Sequence, residues 1–259
     1  MAMETRKLEI SYGDKHVLKE IDFKVENGQI VTIIGPNGSG KTTLIKALSR
    51  YIKAQSGDIY LRGKDIYSIP TKEIAKEMAI LPQVKHVSAD ITIETLVAYG
   101  RYPHLRFGQR MGKEDKDIVD WAIERTGLKE LRGRYIGQLS GGESQRCWIA
   151  MALAQNPRVL ILDEPTTYLD ISYQLEVLEL VRELNQSLGI TVIMVLHDLN
   201  QAARYSDKIY VLKEGRIRQY GSPEIIIEKR LLEEVFRIEP HIYQDKVNGC
   251  PYFIPHKII

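Results

Sequence analysis

The nine residues Gly35, Pro36, Asn37, Gly38, Ser39, Gly40, Lys41, Thr42 and Thr43 constrain this chain more than any other segment. They satisfy G-x-x-x-x-G-K-[ST], and the apolar run Gln29 to Ile34 before them reads as a strand. With a helix expected from about Lys41, the pattern has the strand–loop–helix context that makes it a phosphate cradle. Glycines let the loop curl so that successive backbone N–H groups converge, and the helix N-terminus adds its positive dipole end. Lys41 is then placed for the β- and γ-phosphates of a nucleotide and Thr42 for Mg²⁺, with Thr43 close to the α-phosphate by analogy with other loops of this pattern. A flexible glycine turn is the plain alternative, and the flanking elements argue against it.

A second constellation follows the buried-strand pattern Val159 to Leu162, where Asp163 and Glu164 stand at the carboxyl edge at which open α/β sheets bind ligands. Asp163 is suited to hold Mg²⁺ through water and Glu164 to polarise an attacking water for in-line phosphoryl transfer. Alone, such a pair is as easily a solvated loop. His197 repeats the placement after the apolar run Ile190 to Leu196, as a γ-phosphate contact or as a helix-start histidine satisfied locally. Gln83, after Met78 to Leu81, is a comparable strand-end group.

Elsewhere, Lys7 to Tyr12 and Gly57 to Leu61 read as strands, Thr71 to Glu77 as a helix opened by Pro70, and Ile91 to about Ala154 as helical. Within that stretch Lys113 to Arg125 presents one apolar face. The continuous apolar runs 159–162 and 190–196 suit parallel strands covered on both sides, with Gln174 to Leu188 as a crossover helix. Glu214-Gly215 signals a hairpin between Lys208 to Leu212 and Arg216 to Tyr220. The remainder reads as short helices and an irregular tail with Pro251 and Pro255.

Charge and composition remove several classes of function. With 36 Lys plus Arg against 34 Asp plus Glu, no global field is available to hold nucleic acid, so a nucleic-acid partner is not expected. Cys147 and Cys250 belong to no zinc-ligand spacing, and a reduced setting is the easier reading. The start Met-Ala-Met-Glu-Thr-Arg-Lys lacks an apolar signal core, and the longest apolar runs fall short of the roughly 18 residues of a membrane span.

The class is decided by Leu139-Ser140-Gly141-Gly142-Glu143, a small-residue turn feeding another helix. This segment resembles the signature of ATP-binding cassette (ABC) ATPases. The order Tyr12, phosphate loop, Gln83, LSGGE, LILDEP at 160–165, TTYLD at 166–170 and His197 is similar to that family along nearly the whole chain. The resemblance implies an α/β P-loop NTPase (RecA-like) core with an N-terminal antiparallel β subdomain and an inserted helical subdomain. Its expected bounds are 1–87 and 158–259 for the core and 88–157 for the helical part. It further implies that Tyr12 stacks on adenine, Gln83 contacts Mg²⁺ or the lytic water, Asp170 lies at a subunit interface and His197 is the switch histidine. Ser140, Gly141 and Gly142 would meet the ATP held by the phosphate loop of a second copy. Glu143 departs from the glutamine of many relatives.

By the same resemblance the chain works as a homodimer at the cytoplasmic face of the membrane. There the helical insertion Gln83 to Leu139 meets permease subunits and, through them, an extracytoplasmic substrate-binding protein. DITIETLVAYGRYPH at 90–104, with the stretches at 153–181 and 196–217, resembles the iron-chelate, haem and cobalamin importer branch, most closely its iron(III)-siderophore members. Haem or cobalamin import is the alternative. A soluble, nucleic-acid-linked ABC protein fits less well, for want of a second cassette or a long coiled-coil insertion, and a P-loop kinase leaves LSGGE unexplained.

Overall fold

The computed structural model describes residues 1–83, 87–106 and 108–259. It comprises two compact units, one formed by Met1–Ser68 with Thr191–Ile259 and the other by Ile69–Ile190.

The first unit opens with a hairpin of β1 (Met3–Tyr12) and β2 (Lys15–Val25), turned at Gly13-Asp14. Ile21, Phe23 and Val25 are buried while Glu20, Asp22 and Lys24 face out, the period-two pattern of a half-covered strand, and Leu18 is buried one residue out of step with it. This alternation makes β2 legible in the sequence, although Lys15 to Val25 was not among the expected strands. β3 (Ile30–Ile34) is buried throughout and leads through the glycine loop into α1 (Lys41–Leu48), which begins where expected. β4 (Ser56–Leu61) and β5 (Lys64–Asp65) complete an antiparallel sheet of order β2-β1-β4-β5.

In the second unit α2 (Thr71–Glu77), with Pro70 at its N-cap position, leads into β6 (Met78–Leu81). Then come α3 (Ile93–Tyr99), α4 (Lys113–Arg125), α5 (Gly141–Ala154), β7 (Val159–Asp163) and α6 (Ile171–Leu188). β6 and β7 pair in parallel, from Met78 opposite Val159 to Leu81 opposite Leu162. α4 buries Val119, Ala122 and Ile123, the face its spacing marks out, and both α3 and α4 pack on α5. The Gly100 to His104 run has a packing role here. A Cβ on Gly100 would lie 2.2 Å from the Met151 carbonyl oxygen. The buried Arg101 donates to Asp115 (3.0 Å) and to the Ala154 carbonyl (2.8 Å), and His104 Nε2 lies 2.8 Å from the Gln155 carbonyl oxygen.

Back in the first unit, β8 (Thr191–Val195) and β9 (Lys208–Lys213) flank β3 in parallel, and β10 (Arg216–Gly221) returns antiparallel to β9 across Glu214-Gly215. α7 (Leu199–Tyr205) lies between β8 and β9 in sequence. The structure corrects the expectation of an irregular tail. After the short α8 (Pro223–Ile226), residues Ile238–Asp245 and Cys250–Ile258 form β11 and β12, an antiparallel hairpin. Asp245 closes its turn by accepting the N–H groups of Val247 (2.8 Å) and Asn248 (3.2 Å), and Gly249 takes a φ of 67°. Prolines 240, 251 and 255 are tolerated because each strand of a two-stranded sheet keeps one free edge. Among the described residues no helix is long and apolar enough to cross a membrane.

Candidate active site

The glycine loop after β3 adopts backbone angles that suit few other residues: φ is 154° at Gly35, 76° at Gly38 and 108° at Gly40. At Gly35 and Gly40 space is as limiting as angle. A Cβ on Gly35 would lie 2.0 Å from the Leu212 carbonyl oxygen, and one on Gly40 would lie 2.7 Å from the Leu18 side chain. The loop is braced by the β9–β10 turn, where Gly215 N–H donates to the Ser39 carbonyl at 3.1 Å. Leu212 and Gly215 are thus supports of the loop that the sequence reading missed, since no local signal ties 212–215 to 35–40.

Lys41 is buried and folds back over the loop, donating to the carbonyls of Gly35 (2.8 Å) and Pro36 (3.1 Å). Its ammonium is therefore held against the glycine loop. Ser39 Oγ is buried and has no hydrogen-bond partner among the described residues, a condition costing about 1–3 kcal/mol that an oxyanion acceptor would relieve. Gly40 at the N-cap has no side chain to cap the first N–H groups of α1, a kind of helix start that suits an anion. Thr42 and Thr43 are half-buried in that first turn. In the same unit Tyr12 stands half-exposed at the end of β1, and His197 is exposed between β8 and α7. The capping role there belongs to Asp198, whose Oδ1 accepts the Gln201 N–H at 2.9 Å.

The second unit brings together Gln83 and Glu164, 81 residues apart. Glu164 Oε2 accepts from Gln83 Nε2 at 2.5 Å and from Thr167 Oγ1 at 3.1 Å. Glu164 also sits in the left-handed region with φ 54°, a conformation costing a non-glycine residue about 1 kcal/mol or more. Asp163, directly before it, is buried at the end of β7. Thr167 was not among the expected site residues, and its place three residues after Glu164 in TTYLD was the available signal.

Ser140 occupies the N-cap of α5 in a reciprocal capping box: Glu143 N–H donates to Ser140 Oγ (3.3 Å) and Ser140 N–H to Glu143 Oε2 (2.8 Å). The Ser140 N–H holds the Glu143 carboxyl below its usual range, with the Ser140 side chain adding to the effect. A lowered carboxyl pKa means this bond supports the folded state above the ordinary Glu range and is lost as pH falls through the lowered value. The departure from glutamine at 143 therefore strengthens the cap. Gly142 is buried against Tyr173 of α6, where a Cβ would lie 2.4 Å from Cδ1 and 2.8 Å from Cγ, and one on Gly141 would lie 3.2 Å from Leu169. We expect Gly142→Ala to push the start of α5 off α6 and cost about 1–3 kcal/mol. A thermal melt should show the midpoint falling by about 2–10 °C, and an unchanged midpoint would contradict this packing. Asp170 is exposed at the N-cap position of α6 and makes no capping bond among the described residues.

The family model described as "ABC transporter" matches residues 18–167, more than half the chain. The chain belongs to the ABC transporter family. The cassette is 44% identical to the petrobactin import ATP-binding protein FpuC of Bacillus anthracis, over 99% of this chain and 93% of the relative. It is 43% identical to the iron(3+)-hydroxamate import ATP-binding protein FhuC of Bacillus subtilis (100% and 96%), and 42% identical to the ferric enterobactin transport ATP-binding protein FepC of Escherichia coli (96% and 92%). Among solved structures it is similar to a transporter described as of metal-chelate type, in an inward-facing conformation, with a TM-score of 0.86 at 25% identity over 99% of this chain and 97% of the other. It is also similar to the dimeric bacterial cassette MJ0796, with a TM-score of 0.75 at 27% identity over 85% and 98%. The expected α/β P-loop cassette is the fold this ABC ATPase has.

Proposed function

We propose that this cassette is the ATP-binding and hydrolysing subunit of an importer of iron(III)-siderophore complexes, acting through a separate membrane permease. The observation that carries the reading is that relatives matching the cassette almost end to end, at 42–44% identity, are named for siderophore uptake in three bacteria. Growth on, and uptake of, labelled iron chelates in a strain lacking the chain tests it. Loss of ferric siderophore uptake supports the reading, while intact siderophore uptake with lost haem or cobalamin uptake would replace it.

In this reading Tyr12 stacks on adenine and the loop 35–43 binds the phosphates through its backbone N–H groups, which Pro36 alone lacks. Lys41 exchanges its bonds to Gly35 and Pro36 for the β- and γ-phosphate oxygens. The residues proposed for Mg²⁺, Thr42, Gln83 and Asp163, each offer oxygen, Asp163 as a carboxylate, the donor type this ion favours when phosphates fill its other positions. Gln83 has its amide nitrogen committed to Glu164, which leaves its carbonyl oxygen as the atom suited to a cation. Bound there, Mg²⁺ would neutralise charge on the β- and γ-phosphates. Glu164 accepts the proton of the attacking water, steadied by Gln83 and Thr167, and His197 contacts the γ-phosphate.

Ser140, Gly141, Gly142 and Asp170 serve the nucleotide held by a second copy, so the working form is a homodimer. A dimeric arrangement of the related MJ0796 is consistent with this, as is its post-hydrolysis state with ADP and Pi. The γ-phosphate favours the closed dimer because its contacts exist only there, and hydrolysis removes that preference. The helical part, 88–157, passes the stroke to the permease at the cytoplasmic face, and an extracytoplasmic binding protein delivers the cargo.

Lys41→Ala removes a charge from the phosphates, where charge-assisted bonds are worth about 1.5–3 kcal/mol each. Titration with a fluorescent ATP analogue should show affinity reduced by about 10–100-fold. Unchanged affinity would count against the cradle.

A further inference from the structure

The C-terminal hairpin carries a cluster that the nucleotide chemistry does not use. His241 lies on β11 and His256 on β12, both exposed, with ring centres 4.9 Å apart and planes at 70°. His241 is opposite Ile254, so His256 is its diagonal neighbour on the partner strand, within reach of an aromatic ring. The register slips between Glu239, opposite Lys257, and Pro240, opposite Pro255, so His256 is the extra residue of a bulge. A bulge bends the strand locally and re-aims the side chain it carries. At this irregularity the His256 ring lies beside that of His241.

The hairpin that holds the pair is anchored. Asn200 of α7 donates to the Phe253 carbonyl at 3.1 Å and accepts the Phe253 N–H at 2.9 Å, Phe253 is buried, and Tyr243 stacks on Tyr252 at 5.5 Å on the exposed face. The Glu239 carboxylate pairs with Lys257 at 2.9 Å. That pairing leaves the two imidazoles as the metal-binding groups of the cluster.

We infer that His241 and His256 chelate one transition-metal dication of the kind imidazole prefers, Zn²⁺, Ni²⁺ or Cu²⁺, with water completing the coordination. The dimension fits. With a metal–nitrogen distance of about 2.0–2.1 Å, two imidazoles on one tetrahedral ion have ring centres roughly 5 Å apart. Two neutral nitrogen ligands without a thiolate favour these ions over Mg²⁺ or Ca²⁺, which take oxygen. Holding both rings on paired strands raises the effective concentration of the second ligand once the first has bound.

The test is a calorimetric titration of the full chain with ZnCl₂, in a non-chelating buffer with Mg·ADP present, comparing the unaltered chain with His241→Gln, His256→Gln and the double variant. One site per chain is expected in the unaltered protein, weakened by about 100-fold or more in either single variant. A site of unchanged affinity in the double variant would overturn the assignment, as would its absence from the unaltered chain. Both residues are exposed, so the variants should fold, with an unchanged thermal midpoint as the check. Independently, the ring-proton resonances of both histidines should shift together and saturate at one equivalent of Zn²⁺; a response from one ring alone would rule out a shared ion.

Discussion

Glu164→Gln should leave ATP binding intact and lower hydrolysis by about 10²–10⁴-fold, the usual worth of a positioned general base. The substitution is nearly isosteric and removes the charge while keeping a side-chain oxygen for the Thr167 hydroxyl, now 3.1 Å from Oε2. Gln83, which donates to the same oxygen, can remain in place. Because the γ-phosphate is then not removed, the closed state loses its exit, and size-exclusion chromatography with Mg·ATP should show a dimer that Mg·ADP does not produce. Phosphate release at the normal rate would show that another group activates the water. The strained backbone of Glu164, φ 54°, adds a second comparison. Glu164→Gly relieves the angle and removes the carboxylate, so a variant more stable yet equally inactive would separate the conformational cost of this residue from its chemistry.

Gly35→Ala should be the most damaging change of a single methyl group in the phosphate loop. Its Cβ would sit 2.0 Å from the Leu212 backbone oxygen and 2.9 Å from Ser39 Oγ, and the first of these belongs to a central strand that cannot move aside cheaply. The loss expected is about 3 kcal/mol or more, or a thermal midpoint lower by at least about 6 °C, together with loss of nucleotide binding. Gly38→Ala is the control, since its Cβ meets nothing within 4 Å among the described residues and carries only the left-handed penalty of about 1–2 kcal/mol. Equal stabilities for the two variants would mean that the brace between Leu212 and the loop is not as described.

Local chemistry was legible wherever the residues that define a feature adjoin in sequence. The strand–loop–helix reading of 29–48 needed only glycine spacing and an apolar run, and the helix starts at Lys41 as read. The LSGGE segment carries its own cap, because Ser140 and Glu143 are three residues apart and can bond reciprocally within one turn. Lys113–Arg125 matched to the residue because its apolar face repeats with the helical period. The C-terminal hairpin was missed because Pro251 and Pro255 argue against strand. Asn248-Gly249 between alternating segments was the countersignal, and a strand with one free edge absorbs the proline.

Residue types and their spacing were enough, before any coordinates, to mark out the strand–loop–helix at 29–48, the acidic pair ending a buried strand at 163–164 and the resemblance to the ABC ATPases, because each depends on neighbours along the chain. Only the tertiary structure decided that Leu212 and Gly215 brace the loop, that Gln83 and Thr167 grip one oxygen of Glu164, and that the His256 ring lies beside that of His241. These contacts depend on strand register and on close approach of backbones, which arise from packing the whole chain and leave no periodic trace in any one segment.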